Sequence, residues 1–180
     1  MAALDQLSPG DWNIDPVHST VGFVARHMMI AKVRGRFTSF SGTIHIAEDP
    51  VQSWVEASVD LESVTTGDLQ RDTHLRSPDF FDIEKYPTMM FRSTSIKPDR
   101  DHYIMTGDLT VAGQTRTVDF KLEFEGVEKD PWGGTRAGFT AEADISRKDW
   151  NLTWNVALET GGVVVGDKVK IELEVEAVKA

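Results

Sequence analysis

The 180-residue sequence contains no cysteine. This absence excludes disulfide bonds, thiolate metal sites and cysteine nucleophiles together. The sequence also lacks any run of about 18 apolar residues, the length at which a transmembrane helix becomes a candidate. Its first residues show no basic start, no apolar run of signal length and no small-residue cleavage site. We therefore expect a cytoplasmic protein without stable membrane insertion.

The sequence also has fewer basic than acidic residues. Lysine and arginine number 19 against 29 aspartates and glutamates, which leaves a formal net charge of −10 and a pI near 4.9. Nucleic acid and anionic membrane surfaces would repel such a chain overall, so neither is expected as the main partner. Only a local basic patch would override this repulsion.

The motifs of the common catalytic sites are absent. No G-x-S-x-G, P-loop or dinucleotide-binding motif occurs. Asp72 and His74 resemble an acid and base pair, but residues two apart on a helix point about 200° away from each other and cannot form a hydrogen-bonded dyad. The histidines are not spaced as metal ligands on one helix or strand; they are His18, His27, His45, His74 and His102. We expect no catalytic residue, no cofactor and no metal site, unless the fold assembles one from distant residues.

What the sequence does contain is alternation of apolar and polar residues. In VEASVDL the apolar residues Val55, Ala57 and Val59 alternate with polar ones. This pattern is typical of an antiparallel strand with one buried and one solvent-exposed face. Residues 118–124 and 139–145 show the same pattern and are predicted to form a hairpin. Taken along the whole chain, the pattern predicts about eight strands in one domain, residues 1–180.

One stretch, Arg71 to Phe91, breaks this alternation and predicts two short helices followed by a strand. Asp72 and Arg76 are spaced to support the first helix as an ion pair. Ser77 before Pro78 predicts the start of the second. The neighbouring residues Phe80 and Phe81 diverge by about 100° on a helix, so we expect one of them to enter a cavity. The stretch is therefore predicted to cover one end of the sheet.

Two architectures bury the apolar faces of about eight strands. A sandwich packs these faces against each other, whereas a barrel closes the sheet edges and can hold a small ligand. We favour the barrel because small residues on the apolar face leave interior volume unfilled; they are Gly42, Ala57, Gly126, Ala141, Ala143 and Ala177. The alternative is that they fit a tapering, filled core. The predicted fold is thus all-β, an extended antiparallel barrel with a short helical insertion.

Several long motifs occur in order along nearly the whole chain. They begin with WNIDPVHSTVGF, His27 and VRGRFTSFSGTI, continue with SVTTG, RDTHLRSPDFFDIEKYPTMMF and GDLTVAGQTRTV, and end with SRKDW and VGDKVKIELEVEA. In these motifs the sequence resembles the YceI-like family of lipid- or polyisoprenoid-binding proteins. The resemblance implies a lipocalin-like barrel whose interior holds a long isoprenoid or comparable amphiphilic chain, often in a dimer.

The sequence departs from this family in two features. Many relatives carry an export signal, which is not seen here. The family also often has glycine after the aromatic residue where this chain has Asn151. Asparagine tolerates the left-handed conformation better than most residues, so we expect the turn to be retained.

Residues on the predicted apolar faces, in the insertion and in the irregular segment DWNLTWN are the candidate lining of a ligand cavity. They are Phe23, Phe40, Val55, Ala57, Val59, Phe80, Phe81, Phe91, Leu109, Phe120, Leu122, Phe124, Phe139, Ala141, Trp150 and Trp154. The expected partner is a polyisoprenoid or other long-chain amphiphile, and the implied assembly is a homodimer. Two alternatives remain open: an enzyme acting on such a lipid at the barrel mouth, and a structural, stress-associated domain without a ligand.

A charged head group on the ligand would require cations at one end of the barrel. Residues 16–47 hold no acid, and within them Arg34 and Arg36 flank Gly35, where we expect the chain to turn between strands. Guanidinium groups bind phosphate oxygens with paired hydrogen bonds. The alternative is a solvated basic turn. The candidate head-group residues are His18, Arg34, Arg36, Arg71 and His74.

Overall fold

The computed structural model describes residues 3–158 and 164–180. Within these ranges the chain forms one α-helix, eleven β-strands and four short 3₁₀ turns. The strands are β1 (Gly10–Ile14), β2 (Thr20–His27), β3 (Ala31–Phe37), β4 (Phe40–Ile46), β5 (Trp54–Asp60), β6 (Val64–Thr65), β7 (Thr88–Asp99), β8 (His102–Val111), β9 (Gln114–Lys129), β10 (Thr135–Ser146) and β11 (Val165–Lys179); the helix is α1 (Leu69–Arg76), and the 3₁₀ turns are Leu4–Gln6, Pro50–Gln52, Leu61–Ser63 and Arg147–Trp150. No helix in the described ranges is long and apolar enough to cross a membrane.

Eight of the strands close into an antiparallel barrel, as predicted. They follow the order β1-β4-β5-β7-β8-β9-β10-β11, and β11 pairs again with β1. The closing register aligns Trp12 with Lys179 and Ile14 with Ala177. Closure leaves none of these strands as a free edge along the ring, which favours a barrel over a sandwich.

The strand β11 is long enough to pair with two strands in succession on the side away from β10. Near its end it pairs with β1, and along its earlier part it pairs with β2, from Thr20 opposite Glu174 to His27 opposite Val165. The hairpin of β2 and β3 and the short β6 then extend the sheet beyond the ring. This extension lengthens the barrel at one end.

Several local features agree with the sequence. The hairpin of β9 and β10 is confirmed, with Phe124 opposite Phe139. A register shift between β7 and β8 lies beside the pair of Ser93 and Gly107, and a glycine within a strand is typical of such an irregularity. Asn151 adopts the left-handed conformation, with φ of 64°, and ends the 3₁₀ turn Arg147–Trp150. The turn that the family forms with glycine is therefore retained.

The turn that we placed at Gly35 lies elsewhere. Gly35 lies within β3, directly opposite Phe23 of β2. The chain turns instead at residues 28–30, where Met28 and Met29 have φ values of 52° and 60°. The prediction was wrong because this turn contains none of the glycine, asparagine or proline residues that usually mark one.

The insertion contains one helix where two were predicted. Asp68 caps α1 by accepting a hydrogen bond from the backbone of Arg71. Ser77 does not begin a second helix; its hydroxyl donates to the carbonyl of His74 and so ends the first. Residues 78–85 form a series of turns, with a left-handed Asp82. A serine hydroxyl can accept from a free backbone N–H at the start of a helix or donate to a free carbonyl at its end. A serine beside a proline is therefore compatible with either end of a helix.

The predicted ion pair between Asp72 and Arg76 is also absent from the described contacts. Asp72 is buried and accepts hydrogen bonds from the backbone and hydroxyl of Thr66, at 2.9 and 2.6 Å. Arg76 donates to the carbonyl oxygens of Glu62 and Val64. Both side chains fasten α1 to the chain that precedes it, a stronger restraint than an exposed pair along one helix face.

Candidate functional site: an apolar cavity inside the barrel

The interior of the barrel contains a cavity. The space open to the centres of water-sized molecules is about 260 Å³, far more than the 10 to 15 Å³ that one water molecule needs. Its walls are formed by Leu4, Ile14, Val21, Gly22, Phe23, Ala25, Phe37, Phe40, Ser41, Ile44, Ile46, Ser53, Val55, Ala57, Val59, Leu75, Phe80, Phe81, Met89, Phe91, Ile96, Met105, Leu109, Val111, Phe120, Leu122, Phe139, Ala141, Ile145, Arg147, Trp150, Leu152, Val165, Val169, Ile171, Leu173 and Val175.

The walls are almost entirely apolar. Among the described residues that line the cavity, only Ser41, Ser53 and Arg147 have polar side chains. The hydroxyl of Ser53 accepts a hydrogen bond from the backbone of Ala47. In the described ranges no buried side-chain nitrogen or oxygen lacks a hydrogen-bond partner. Such walls favour an apolar ligand, because a polar one would lose its hydrogen bonds to water without replacement.

Arg147 is the ionisable residue of these walls, and sequence reasoning missed it. It is 4% exposed and donates to four backbone carbonyls, those of Gly166, Leu152, Trp154 and Val165. Burial lowers the pKa of the guanidinium. These bonds join the chain after the 3₁₀ turn to the start of β11, so the side chain supports the wall rather than facing the cavity with free donors. The one sequence signal for it was its position in the motif SRKDW.

Most of the residues predicted to line a cavity do lie in its walls. They are Phe23, Phe40, Val55, Ala57, Val59, Phe80, Phe81, Phe91, Leu109, Phe120, Leu122, Phe139, Ala141 and Trp150. Two do not. Phe124 is 1% exposed and packs in the solid core, 5.4 Å from Phe139 between ring centroids. Trp154 lies outside the walls, against the insertion. Contact of the lining residues with a ligand stays a prediction.

Both interpretations of the small residues hold, in different parts of the barrel. Ala57 and Ala141 line the cavity, where a larger side chain would fill it. Ala143 and Ala177 are 6% and 0% exposed and lie outside its walls, in the packed core. The barrel is therefore filled by side chains in one part and open in another.

An aromatic cluster joins the insertion to the segment after Trp150. The ring of Trp154 lies 4.5 Å from that of His74 and 5.5 Å from that of Phe80, between centroids. Phe80 also lines the cavity, and beyond it Phe81 packs against Phe37. The insertion thus closes over the cavity through Phe80 and Phe81 and is held there by contacts with a distant segment.

The family model of the YceI-like domain matches residues 12–177. The chain belongs to the YceI-like family. Protein YceI of Escherichia coli O157:H7 is 41% identical over 145 residues, which cover 79% of this chain and 76% of that protein.

Solved structures share the YceI-like barrel. BcnA of Burkholderia cenocepacia matches with a TM-score of 0.77 and 24% identity, over 91% of this chain and 98% of that one. A polyisoprenoid binding domain from Saccharophagus degradans, implicated in plant cell wall breakdown, matches with a TM-score of 0.73 and 17% identity. The match covers 94% of this chain and 98% of that one. At these identities the likeness shows the fold alone.

The five candidate head-group residues do not meet at one point of this YceI-like barrel. Arg34 and Arg36 lie on β3 and are exposed on the face opposite Gly35, away from the cavity. Arg71 donates to the hydroxyl and carbonyl of Thr66. His74 pairs with Asp79 at 2.8 Å beside the aromatic cluster.

His18, the fifth candidate, belongs to a charged cluster at the corner between β1 and β2. Asp15, His18 and Glu176 bring their ligand atoms within 4.8 Å of one another, an arrangement that could hold a metal ion. The guanidinium of Arg136 lies 2.8 Å from Asp15 and 3.7 Å from Glu176. It therefore supplies the positive charge that these carboxylates require. Hydrogen bonds from Arg136 and His18 lower the pKa of Asp15 to about 2.

Proposed function

We propose that this YceI-like barrel binds a long apolar chain, of the polyisoprenoid type, and shields it from water. The observation that carries the proposal is the chemistry of the cavity walls, which are apolar apart from two serines and Arg147. Each methylene group moved from water into such walls contributes about 0.8 kcal/mol to binding. The likeness to a structure described as a polyisoprenoid binding domain supports this class of ligand.

An enzyme acting on the lipid is the alternative from the sequence. Acid–base catalysis requires two titratable groups directed at one point. Among the described residues of the walls, Arg147 is the one ionisable side chain, and its donors are already bound to carbonyl oxygens. The walls thus favour holding a ligand over transforming it. A carrier or storage role, a cytoplasmic location and a homodimer stay predictions.

The proposal is tested by identifying and then excluding the ligand. Mass spectrometry of an organic extract from protein purified without detergent should show a long isoprenoid or related amphiphile. Ala141→Trp places a large ring in the cavity and should strongly reduce binding of a long isoprenoid, while the circular dichroism spectrum stays that of a folded barrel.

The matched control is Thr140→Trp, which adds the same ring at the neighbouring, outward-facing position of β10. It should bind the isoprenoid as the unmodified protein does. Unchanged affinity in a folded Ala141→Trp protein would contradict the proposal.

A further inference from the structure

The turn between β2 and β3 exposes three consecutive apolar side chains. Met28, Met29 and Ile30 are 39%, 53% and 80% exposed. The backbone of Met28 and Met29 is left-handed, which costs about 1 kcal/mol or more for each non-glycine residue. Glycine or asparagine would form this turn with less strain and no exposed apolar surface. The side chains of the turn therefore require an explanation beyond the fold.

Basic residues flank this apolar turn on both strands. Arg26 of β2 lies directly opposite Lys32 of β3, and like charges in that position destabilise a sheet. Both are exposed, and neither has an ion pair within the described part of the chain. Asp167, which follows Gly166 close to Arg26, is paired with Lys148 at 3.2 Å. The cations thus form a local positive patch on a protein of net charge −10.

The turn lies at the rim of the cavity. The backbone of Met28 donates to the carbonyl of Val164, and Val164 donates to that of Val156, which is itself 48% exposed. Just before Val156, Trp154 contacts Phe80, a residue of the cavity walls. Ala25 of β2 also lines the cavity, and so does Val165 of β11, which pairs with His27 of β2. The exposed apolar turn Met28–Ile30 therefore lies next to the opening of the cavity.

We propose that Arg26, Lys32 and the turn Met28–Ile30, together termed the docking hairpin, bind the surface of an anionic phospholipid bilayer. The apolar turn enters the boundary between head groups and acyl chains, and the two cations contact lipid phosphates. Charge complementarity selects this occupant, because Arg26 and Lys32 attract an anionic surface. The same surface repels the rest of the acidic protein, so the docking hairpin is the part that faces it. If the proposed function holds, docking presents the cavity to the membrane from which an apolar chain must come.

The test is co-flotation of the protein with vesicles of phosphatidylcholine, with and without phosphatidylglycerol. The protein should float with the anionic vesicles and be released at high salt. Ile30→Ser should lower the bound fraction, and the double variant Arg26→Gln, Lys32→Gln should lower the affinity about tenfold or more. These exposed residues contribute little to the core, so the variants should fold.

Matched controls separate the docking hairpin from general effects of charge and hydrophobicity. Trp132→Ser removes an apolar side chain that is 83% exposed at another turn, and Lys97→Gln with Lys121→Gln removes two cations from β7 and β9. Both controls should bind the anionic vesicles as the unmodified protein does. Equal binding by Ile30→Ser, or equal binding to both vesicle types, would overturn the proposal.

Two further outcomes distinguish this proposal from its alternatives. Ala141→Trp, with its cavity filled, should still float with anionic vesicles, and loss of flotation would mean that vesicle lipid enters the cavity instead. If the unmodified protein does not bind vesicles but sediments as a dimer that Ile30→Ser dissociates, a second copy covers the turn and the proposal fails. Failure of isoprenoid binding with intact flotation would contradict only the proposed function.

Discussion

Phe23 packs its ring over Gly35, the residue directly opposite it on β3. A Cβ atom at Gly35 would lie 2.7 and 2.8 Å from the two Cε atoms of the ring, too close for a real contact. The same ring lines the cavity and contacts Phe37, 5.7 Å away between centroids. Glycine in the middle of a strand here gives an aromatic side chain the room to form part of the cavity wall.

Gly35→Ala should therefore displace Phe23 and destabilise the protein by about 1 to 3 kcal/mol, the usual effect of overpacking. Denaturant unfolding measures this change. Gly138→Ala is the control, because a Cβ atom there would meet Glu125 at an ordinary 3.6 Å. Equal stability of the two variants would show that the ring moves aside freely.

Phe80→Ala should loosen retention of a bound isoprenoid more than it lowers the melting temperature. Phe80 lies half-buried in the insertion, at the edge of the cavity, so its loss opens the cover while most of the core remains. Ligand dissociation rates and thermal unfolding measure the two effects. Phe124→Ala is the comparison, since this fully buried ring lies outside the cavity walls and its loss should cost about 3 to 5 kcal/mol. The reverse order of effects would make Phe80 an ordinary core residue.

Asp15→Asn should destabilise the protein at neutral pH by about 1 to 3 kcal/mol, the contribution of hydrogen bonds to a charged group. The pKa of Asp15 is lowered to about 2 by hydrogen bonds from Arg136 and then His18. A lowered carboxyl pKa contributes stability above the unfolded pKa, and this stability is lost as the pH falls through the folded one.

The difference between Asp15→Asn and the unmodified protein should consequently shrink between about pH 4 and pH 2. Denaturant titrations across this range measure it. Asp144→Asn serves as control, because Asp144 and its partner Lys168 are 53% and 74% exposed and such pairs contribute about 1 kcal/mol or less. A difference that does not depend on pH would show that the charge of Asp15 is not what stabilises the corner.

Arg34→Gln combined with Arg36→Gln should leave the affinity for a prenyl diphosphate and the affinity for the matching prenyl alcohol both unchanged from those of the unmodified protein. Both arginines lie on the outer face of β3, and Arg34 faces Glu172 at 3.4 Å. Competitive binding of the two ligands measures the effect. A selective loss of diphosphate binding would instead show that Arg34 and Arg36 contact the head group, as the sequence hypothesis held, but from the outer face of β3 and not from a turn at the barrel end.

The regular part of this fold is predictable because β-strands repeat every two residues. Val118, Phe120 and Leu122 alternate with polar residues and are all buried on one face of β9, so both the strand and its hairpin follow from the pattern. The same alternation predicts most of the residues that line the cavity. Alternation alone left both a sandwich and a barrel possible, and the small residues on the apolar faces, together with the family resemblance, favoured the barrel.

The irregular parts were not predictable for the opposite reason. The turn at Met28 and Met29 carries apolar residues, so Arg34 and Arg36 were assigned to a barrel end when they lie within a strand. The end of β3 likewise depends on a residue distant in sequence, because the hydroxyl of Ser63 accepts a hydrogen bond from the backbone of Thr38 there. Arg147 shows the same limit: its role depends on carbonyl groups that only the folded chain brings together.

The pairing of β1 with β11 has a consequence for how the protein folds. The ring is completed by joining its first strand to its last, a contact between residues such as Trp12 and Lys179 that are almost a whole chain apart. Folding that depends on contacts so distant in sequence is slow, on a scale of milliseconds to seconds. Until β11 is in place, β1, β2 and β10 all present open edges that invite aggregation. The cavity therefore forms only once β11 has paired, and uptake of the proposed ligand would have to follow completion of the barrel.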